Sequence, residues 1–311
     1  MHLFAANLTL FPLLAPVKWI GFHSARLSLL LELRLPLGSL WLLAMKLIRH
    51  VVSSGSAYAA LQPDGSALEI TGDVFGAYQV TTRTIKPGKL LAPITPTTII
   101  GIGLNYREHA KEGGKVPPER PLWFMKTPAA VQNPDDPIEI PTVMPSHEVD
   151  YEAELAIVIG KKCKNATKEN ALSYVLGYTC ANDVSARDWQ FKLGSGQFCH
   201  GKSFDTFCPL GPVLVTADEL TEPNELAIRT LVNGEERQNS NTNMMIFDVP
   251  TIISFVSSSR TLLPGTVILT GTPQGVGYAR TPPIWLKAGD RVSVEIEKIG
   301  TLNNPVILEK P

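Results

Sequence analysis

The segment Asp150-Tyr-Glu-Ala-Glu-Leu-Ala-Ile-Val-Ile-Gly160 decides the architecture of this chain. Side chains alternate along a β-strand, so Glu152 and Glu154 share one face with Ala156 and Val158, and the other face is apolar. This pattern predicts a buried strand with two carboxylates at its start. Two like charges in such a place repel and are poorly solvated, unless a cation compensates them. The alternative is a solvated strand end with two harmless acids, and the spacing alone does not decide between the two.

A second acidic site follows in Tyr178-Thr-Cys-Ala-Asn-Asp183, which has the pattern of a strand that runs into a loop. Asp183 at that exit can direct a third carboxylate into the pocket of Glu152 and Glu154. An all-oxygen set of this kind suits Mg²⁺, Mn²⁺ or Ca²⁺ rather than Zn²⁺. Three protein ligands leave positions on an octahedral ion for substrate and water, so the pattern predicts a catalytic metal site.

The segment Tyr106-Arg-Glu-His-Ala-Lys-Glu112 contains a possible acid–base pair. In a helical turn His109 and Glu112 lie on one face, and the carboxylate can orient the imidazole. Taken alone, this spacing more often marks a surface ion pair. The stretch Gly113-Gly-Lys-Val-Pro-Pro118 that follows is typical of a mobile loop, so we expect the helix to act as a lid.

A glycine-rich stretch, Gly271-Thr-Pro-Gln-Gly-Val-Gly277, follows an apolar strand pattern. It lacks the Lys-Ser/Thr ending of a phosphate-binding loop, which argues against nucleotide binding. Its glycines can bring backbone N–H groups and the Thr272 hydroxyl close to a carboxylate. The alternative is an ordinary turn between two strands.

The composition of the whole chain limits its class. The 311 residues are 44% hydrophobic and 18% charged, which excludes a disordered chain. The 28 basic and 29 acidic residues give a net charge of −1, so we expect no nucleic-acid partner, which would need a basic face. The 25 prolines and 24 glycines indicate a turn-rich chain. No window holds the ~20 uninterrupted apolar residues of a membrane span.

Short strand patterns separated by turn signals dominate the chain after residue 45. The strands are predicted at Leu47–Val52, Tyr58–Leu61, Ile99–Leu104, Glu152–Ile159, Gly211–Val215, Ala227–Val232, Thr266–Thr270 and Arg291–Ile296. Helices are predicted at Asn105–Glu112, Lys168–Leu176 and Val249–Ser258. The patterns predict an α+β, strand-rich fold with few short helices. We expect residues 45–96 to form a small N-terminal lead-in and residues 97–308 the catalytic domain.

Residues 1–44 differ in composition from the rest of the chain. They contain one acidic residue, Glu32, against Lys18, Arg26 and Arg34, and they are rich in leucine. This composition is typical of a mitochondrial targeting segment and predicts a mitochondrial protein. The alternative is an unstructured extension with Met45 as the working start, which would leave the protein in the cytoplasm.

Five motifs, in this order, resemble the fumarylacetoacetate hydrolase family from about residue 45 to residue 307. They are Gly103-Leu-Asn-Tyr-Arg-Glu-His-Ala110, Asp150-Tyr-Glu-Ala-Glu154, Ala181-Asn-Asp-Val-Ser-Ala-Arg-Asp-Trp-Gln190, Gly201-Lys-Ser-Phe-Asp-Thr206 and Leu269-Thr-Gly-Thr-Pro-Gln-Gly-Val-Gly277. The stretch from Lys202 to Pro212 is similar to the eukaryotic domain-containing-protein-2 subgroup of that family. The resemblance implies a mixed β-sandwich roll, a homodimer, and one Mg²⁺ (or Mn²⁺ or Ca²⁺) ion per subunit.

The resemblance also implies roles for single residues. The metal ligands would be Glu152, Glu154 and Asp183, the catalytic groups His109, Glu112 and Lys202, and the substrate-binding groups Tyr106, Arg187, Gln190 and Thr272. In one respect the chain departs from the pattern. The longer fumarylacetoacetases carry a further metal carboxylate near the segment corresponding to Leu104-Asn105-Tyr106, where this chain has none. The resemblance therefore does not imply a true fumarylacetoacetase.

The family resemblance implies substrates that are 2-oxo or β-diketo acids, whose adjacent oxygens chelate a divalent ion. The ion would stabilise an enolate as a Lewis acid, while Lys202, Arg187 and Gln190 would donate hydrogen bonds to the growing charge. Moving a proton between carbon and oxygen gives tautomerisation, whereas activating a water gives C–C bond hydrolysis. The subgroup implies an oxaloacetate keto–enol tautomerase. The alternatives are a hydrolase of acylpyruvate or fumarylacetoacetate-type substrates, and a catalytically silent member that binds small dicarboxylates.

Overall fold

A computed structural model describes residues 45–310 of the chain. The predicted targeting segment, residues 1–44, lies outside the described residues, as does residue 311. Within residues 45–310, no helix has both the length and the apolar character needed to cross a membrane.

Residues 45–310 form nineteen β-strands and three α-helices, all of the helices short. The strands are β1 Lys46–Val52, β2 Gly55–Leu61, β3 Ala67–Gly72, β4 Tyr78–Ile85, β5 Leu90–Leu91, β6 Thr98–Gly103, β7 Leu122–Lys126, β8 Val131–Gln132, β9 Ile138–Ile140, β10 Val149–Asp150, β11 Ala153–Ile159, β12 Val175–Asn182, β13 Ser185–Ala186, β14 Cys208–Thr216, β15 Ala227–Val232, β16 Glu235–Asn241, β17 Thr266–Leu269, β18 Arg291–Ile296 and β19 Gly300–Leu308. The helices are α1 Arg107–Glu112, α2 Phe198–Lys202 and α3 Val249–Ser257. The predicted strand-rich α+β fold with few short helices is confirmed.

The strands of the described range form one large sheet and two smaller ones. The large sheet has the order β4-β3-β2-β1-β14-β12-β11-β17-β6-β7, with β5 beside β1 and β8 beside β14. A five-stranded sheet has the order β16-β15-β18-β19-β9, and β10 pairs with β13. The large sheet is mixed, because β17 and β6 are parallel while β11 and β17 are antiparallel. Strands before residue 97 continue this sheet, since β1 pairs with β14.

Strand β11 lies inside the large sheet and is buried along its whole length. Its side chains alternate between two hydrophobic clusters. Leu155 and Ile157 pack into a cluster that reaches α3 and the five-stranded sheet, whereas Ala156 and Val158 pack into a cluster with β1, β14 and β17. The predicted burial of both faces is confirmed, and the alternation places Glu154 on the side of Ala156.

Two of the predicted helices differ from the observed structure. Helix α1 begins at Arg107 rather than at Asn105, because the backbone of Tyr106 is extended (φ −120°, ψ 136°) and the Asn105 carbonyl accepts the backbone N–H of Ile246 at 2.7 Å. The helix predicted at Lys168–Leu176 is wrong. A single 3₁₀ turn at Ala171–Tyr174 leads directly into β12, and pairing of β12 with β11 and β14 on its two sides overrides the local helical pattern.

Several strands have no clear pattern in the sequence and were not predicted. The longer ones are β3, β4, β7, β16 and β19, and the short strands of two or three residues are β5, β8, β9, β10 and β13. Three of the longer ones, β4, β7 and β16, are the last strands at the edges of their sheets. Edge strands have solvent on one side and often carry polar residues, so the alternation that identifies a strand is weak there.

Candidate active site

Three buried carboxylates meet beside the paired ends of β11 and β12. Glu154 is the second residue of β11, Glu152 immediately precedes that strand, and Asp183 immediately follows β12. The two strands are antiparallel with Ala153 opposite Asn182, so the start of one lies beside the end of the other. One oxygen from each carboxylate lies within 4.8 Å of the others. Glu152, Glu154 and Asp183 are only 6%, 2% and 0% exposed.

Buried cations compensate two of these three carboxylates. Lys202 Nζ donates to Glu152 Oε2 and to Asp183 Oδ2, at 2.7 Å in each case. Lys126 Nζ donates to Asp183 Oδ1 at 2.6 Å, and Arg187 Nη1 lies 2.7 Å from Glu152 Oε1. Burial alone would raise the pKa of Glu152, but Lys202 and Arg187 outweigh it and hold that pKa below its ordinary value.

Glu154 is the carboxylate of this cluster that has no salt bridge within residues 45–310. Its Oε2 accepts the backbone N–H of Gly271 at 2.6 Å. Burial, together with the negative charges of Asp183 and Glu152, raises the pKa of Glu154 well above its ordinary value. A divalent cation among the three carboxylates would remove this excess of negative charge. The donor set, made of carboxylate oxygens alone, therefore fits a hard ion that prefers oxygen ligands.

Asp150 holds Arg187 in place, a role that the sequence analysis did not assign. Asp150 is completely buried, and its Oδ2 accepts from Arg187 Nε and Nη2 at 2.9 and 2.8 Å. Its two oxygens also accept the backbone N–H groups of Gly277 and Tyr278. The sequence could have indicated this role, because Asp150, Glu152 and Glu154 are spaced two residues apart and would lie on the same face of a strand. The missed Lys126 had no such signal, because it is a single lysine at the end of β7.

The glycine-rich loop between residues 271 and 277 binds three carboxylates through its backbone. The bonds run from Gly271 N to Glu154, from Gly275 N to both oxygens of Glu112 at 2.9 and 3.1 Å, and from Gly277 N to Asp150 at 2.7 Å. Gly271 and Gly275 have φ angles of +95° and +99°, which favour glycine. The expectation that this loop brings N–H groups to a carboxylate is confirmed, and an ordinary turn is not sufficient to describe it.

The acid–base pair on α1 has the contact expected from its spacing. His109 Nδ1 lies 2.7 Å from Glu112 Oε1. The same carboxylate accepts from Gly275, so α1 is docked on the glycine-rich loop rather than projecting freely into solvent. The pair is thus more than a surface ion pair, because it connects the helix to the loop that also holds Glu154.

A cavity of about 170 Å³ lies between these groups. The polar residues that line it are His109, Lys115, Glu152, Glu154, Arg187, Gln190, Lys202 and Thr272. Seven of these eight were predicted as site residues; Lys115 was not. Asp183 and Tyr106 do not line the cavity, and Glu112 reaches it only through His109. Tyr106 is fully buried, and burial, with the charge of Glu154 adding to it, raises the pKa of its hydroxyl.

The side chains of Gln190 and Thr272 are held by neighbours that orient them. Gln190 Oε1 accepts from Arg187 Nη1 at 3.0 Å, which leaves the Gln190 amide NH₂ as the donor group. The Thr272 hydroxyl accepts from Gln238 Nε2 at 2.8 Å, and Gln238 Oε1 accepts from the backbone N–H of Ala153. The sequence offered no sign of Gln238, which ties the cavity wall to the first residue of β11.

Fold and site together define a class: a strand-rich roll in which a buried acidic cluster that could hold a metal ion borders a small polar cavity. The family described as Fumarylacetoacetate (FAA) hydrolase C-terminal matches residues 98–307. The chain belongs to the fumarylacetoacetate hydrolase family, as the resemblance of its motifs implied.

Individual relatives agree with this assignment. The chain is 50% identical to "Oxaloacetate tautomerase fahd2, mitochondrial" of Xenopus laevis over 250 residues, which cover 80% of this chain and 75% of that protein. Among solved structures it is similar to 2-hydroxyhepta-2,4-diene-1,7-dioate isomerase from Mycobacterium marinum, with 40% identity, a TM-score of 0.74, and coverage of 86% of this chain and 100% of that one. Fumarylacetoacetate hydrolase from Exiguobacterium antarcticum has 37% identity, a TM-score of 0.77 and the same two coverages.

Proposed function

We propose that the protein is a metal-dependent oxaloacetate keto–enol tautomerase. The observation that carries this proposal is Glu154, a buried carboxylate that has no salt bridge to any described residue. It lies beside Glu152 and Asp183 at a cavity that Lys202 and His109 also line. Such an arrangement is costly unless a cation joins it, and it supplies groups for binding and proton transfer around one small substrate. Similarity to the Xenopus tautomerase supports the choice of reaction.

Glu152, Glu154 and Asp183 would hold one divalent ion per subunit, and we propose Mg²⁺, with Mn²⁺ or Ca²⁺ as substitutes. When bound, the ion supplies Lewis-acid stabilisation of the negative charge that develops on a substrate oxygen. Lys202 donates two of its three N–H groups to Glu152 and Asp183, so the third N–H remains for the substrate.

The remaining residues would orient the substrate and move its proton. The Gln190 amide and the Thr272 hydroxyl face the cavity as hydrogen-bonding groups, and Arg187 orients Gln190. Tautomerisation transfers a proton between the carbon next to the 2-oxo group and its oxygen. His109 is suited to that transfer, because Glu112 engages Nδ1 and leaves Nε2 available.

The experiment that tests this function follows oxaloacetate and an acylpyruvate by absorbance and NMR with the Mg²⁺-loaded protein. We expect enol-to-keto conversion of oxaloacetate to be accelerated far more than acylpyruvate cleavage. Efficient cleavage, with oxaloacetate enol decaying at its rate in buffer, would replace the tautomerase by a hydrolase. Binding of both acids without any turnover would indicate a silent dicarboxylate-binding member.

We further propose a homodimer in mitochondria, with residues 45–96 as a lead-in and residues 97–308 as the catalytic domain. The match of the family to residues 98–307 supports the boundary, and the name of the Xenopus relative supports the compartment. A reporter fused to residues 1–44 should reach mitochondria, while a protein that begins at Met45 should stay cytosolic and active. Sedimentation of the purified protein at a monomer mass would contradict the homodimer.

A further inference from the structure

Four basic side chains line the cavity: His109, Lys115, Arg187 and Lys202. His109 is bound to a carboxylate of its own helix, and Arg187 and Lys202 are bound to the buried acids. Within residues 45–310, Lys115 is the one member of these four without a carboxylate partner. Its positive charge is therefore available to a ligand, whereas the charges of the other three are already balanced.

The backbone of Lys115 is fixed at the end of α1. Gly114 has a φ of +63°, its N–H donates to the Lys111 carbonyl at 3.0 Å, and the Lys115 N–H donates to the Ala110 carbonyl at 2.8 Å. These two bonds form a Schellman motif, which ends a helix and fixes the residue after the glycine. Because α1 is itself docked through Glu112, the backbone of Lys115 has a defined place beside the cavity, although the sequence of residues 113–118 is typical of a mobile loop.

The Lys115 side chain lies beside the apolar wall of the cavity. Its Nζ is 5.8 Å from the centroid of the Phe191 ring, and Phe191 packs at right angles on Phe198 with 5.8 Å between the ring centroids. Both rings line the cavity. The wall thus offers apolar surface to the body of a substrate, and the ammonium group of Lys115 beside it can meet an anionic end.

We propose that Lys115 binds the second carboxylate of a dicarboxylic 2-oxo acid, the carboxylate remote from Glu152, Glu154 and Asp183. This assignment rests on the proposed function and makes Lys115 the residue that selects dicarboxylates. Lys115 is exposed and Phe191 is 39% exposed, so a carboxylate placed there keeps part of its hydration, and the nearby ammonium compensates the part that it loses. The acids of the cluster engage the other cations, so Lys115 supplies the missing charge.

The first test measures binding without turnover, by calorimetry on the full-length Mg²⁺-loaded protein. Malate and 2-hydroxybutyrate each have four carbons and differ in the terminal carboxylate. We expect Lys115→Met to weaken malate binding by up to about fivefold, because solvent screens an ion pair at this exposed lysine, and to change 2-hydroxybutyrate binding by less than about twofold. Lys115→Arg should keep the preference for malate. The matched control is Lys111→Met, since Lys111 pairs with Glu108 on the exposed side of α1.

The second test measures enol decay of oxaloacetate and of its 4-methyl ester. Lys115→Met should raise KM for oxaloacetate by up to about fivefold with kcat nearly unchanged, and KM for the ester should be the same in the variant and the wild type. The assignment would be overturned if Lys115→Met weakened the binding of malate and 2-hydroxybutyrate equally, or weakened neither. It would also be overturned if the wild type did not bind malate. If malate binding depended on Lys115 but the protein did not accelerate enol decay, the role of Lys115 in binding would stand and the proposed tautomerase activity would be refuted.

Discussion

Two ion pairs of nearly equal length show how differently the two parts of the site are built. Arg187 and Asp150 lie 2.8 Å apart with side chains 5% and 0% exposed, whereas His109 and Glu112 lie 2.7 Å apart with side chains 19% and 23% exposed. Removing one partner of a buried pair leaves the other charge without solvent, which is strongly destabilising. A partly exposed pair contributes little to stability. We therefore expect the acidic centre, formed by Asp150, Glu152, Glu154 and Asp183, to control stability and metal binding. Helix α1, which we expect to act as a lid, should control rate.

The glycine-rich loop connects these two regions. Gly271 and Gly277 hold Glu154 and Asp150 of the centre, while Gly275 holds Glu112 of the lid. The centre and the lid thus share one piece of backbone, although the burial of their side chains differs. The hydrogen bonds of the loop are donated by its backbone N–H groups, which remain when a side chain elsewhere is substituted. Substitutions in the centre and in α1 can therefore test the two regions one at a time.

The largest effect is expected at the buried pair. Asp150→Ala removes the partner of Arg187 and the acceptor of two loop N–H groups, and should lower the free energy of unfolding by about 3–5 kcal/mol. Urea denaturation measures this loss, and Asp205→Ala, at an exposed aspartate, is the control. A loss of unfolding free energy below about 1 kcal/mol would show that the Arg187–Asp150 pair does not stabilise the centre as a buried pair should.

Glu154→Gln should have its main effect on activity and on Mg²⁺ binding. It removes one carboxylate from the cluster, so we expect tautomerisation to fall at least about 100-fold and Mg²⁺ binding to weaken. Calorimetry measures the affinity, with Glu219→Gln at an exposed position as control. Unchanged Mg²⁺ affinity would remove Glu154 from the ligand set.

The raised pKa of Glu154 also predicts how pH acts on the metal-free protein. A raised folded-state pKa means that the folded protein holds this proton more tightly than the unfolded chain does. The associated stability is present below the ordinary pKa of 4.5 and is lost as the pH rises through the raised value. In EDTA, Glu154→Gln should therefore be more stable than wild type at pH 8, with the gap closing towards pH 4.5. Thermal melts at the two pH values measure this, and a gap independent of pH would contradict the assignment.

At the lid, the expected effect is on rate rather than on folding. Hydrolysis needs an oriented, deprotonated water, for which a positioned base contributes about 10²–10⁴-fold. His109→Ala should therefore slow tautomerisation, whose proton His109 would move, and reduce any residual acylpyruvate cleavage still more. It should change the unfolding free energy by less than about 1 kcal/mol. Lys202→Ala should reduce both reactions, since both need the same enolate. Equal losses of both reactions in His109→Ala would assign the same role to His109 in each.

The smallest effect is expected at the exposed pair of Lys111 and Glu108, 3.4 Å apart on α1. Lys111→Met should change the unfolding free energy by no more than about 0.5 kcal/mol, because solvent screens this pair. Urea denaturation at low and high salt checks it. If Lys111→Met lowered the unfolding free energy as much as Asp150→Ala, the centre would not be the region that controls stability.

Sequence patterns predicted the elements that carry the three clustered carboxylates better than the residues that contact those carboxylates. Glu152, Glu154 and Asp183 stand at strand ends that local alternation identifies, and the spacing of His109 and Glu112 is a property of one helical turn. In contrast, Gln238 contacts Thr272 from 34 positions away, and no local pattern marks it. The failed helix at Lys168–Leu176 has the same origin, because β12 is formed by pairing with strands distant in sequence.

The sequence by itself determined the buried strand β11, the place of its two glutamates and the family, because periodicity and motif order are properties of neighbouring residues. Only the tertiary structure decided how the charges are distributed. Lys126, 57 positions from Asp183, and Lys202, 50 positions from Glu152, neutralise those two acids and leave Glu154 without a cationic partner among residues 45–310. Coulombic compensation depends on distance in space and on burial, and the packing of sheets and loops sets both.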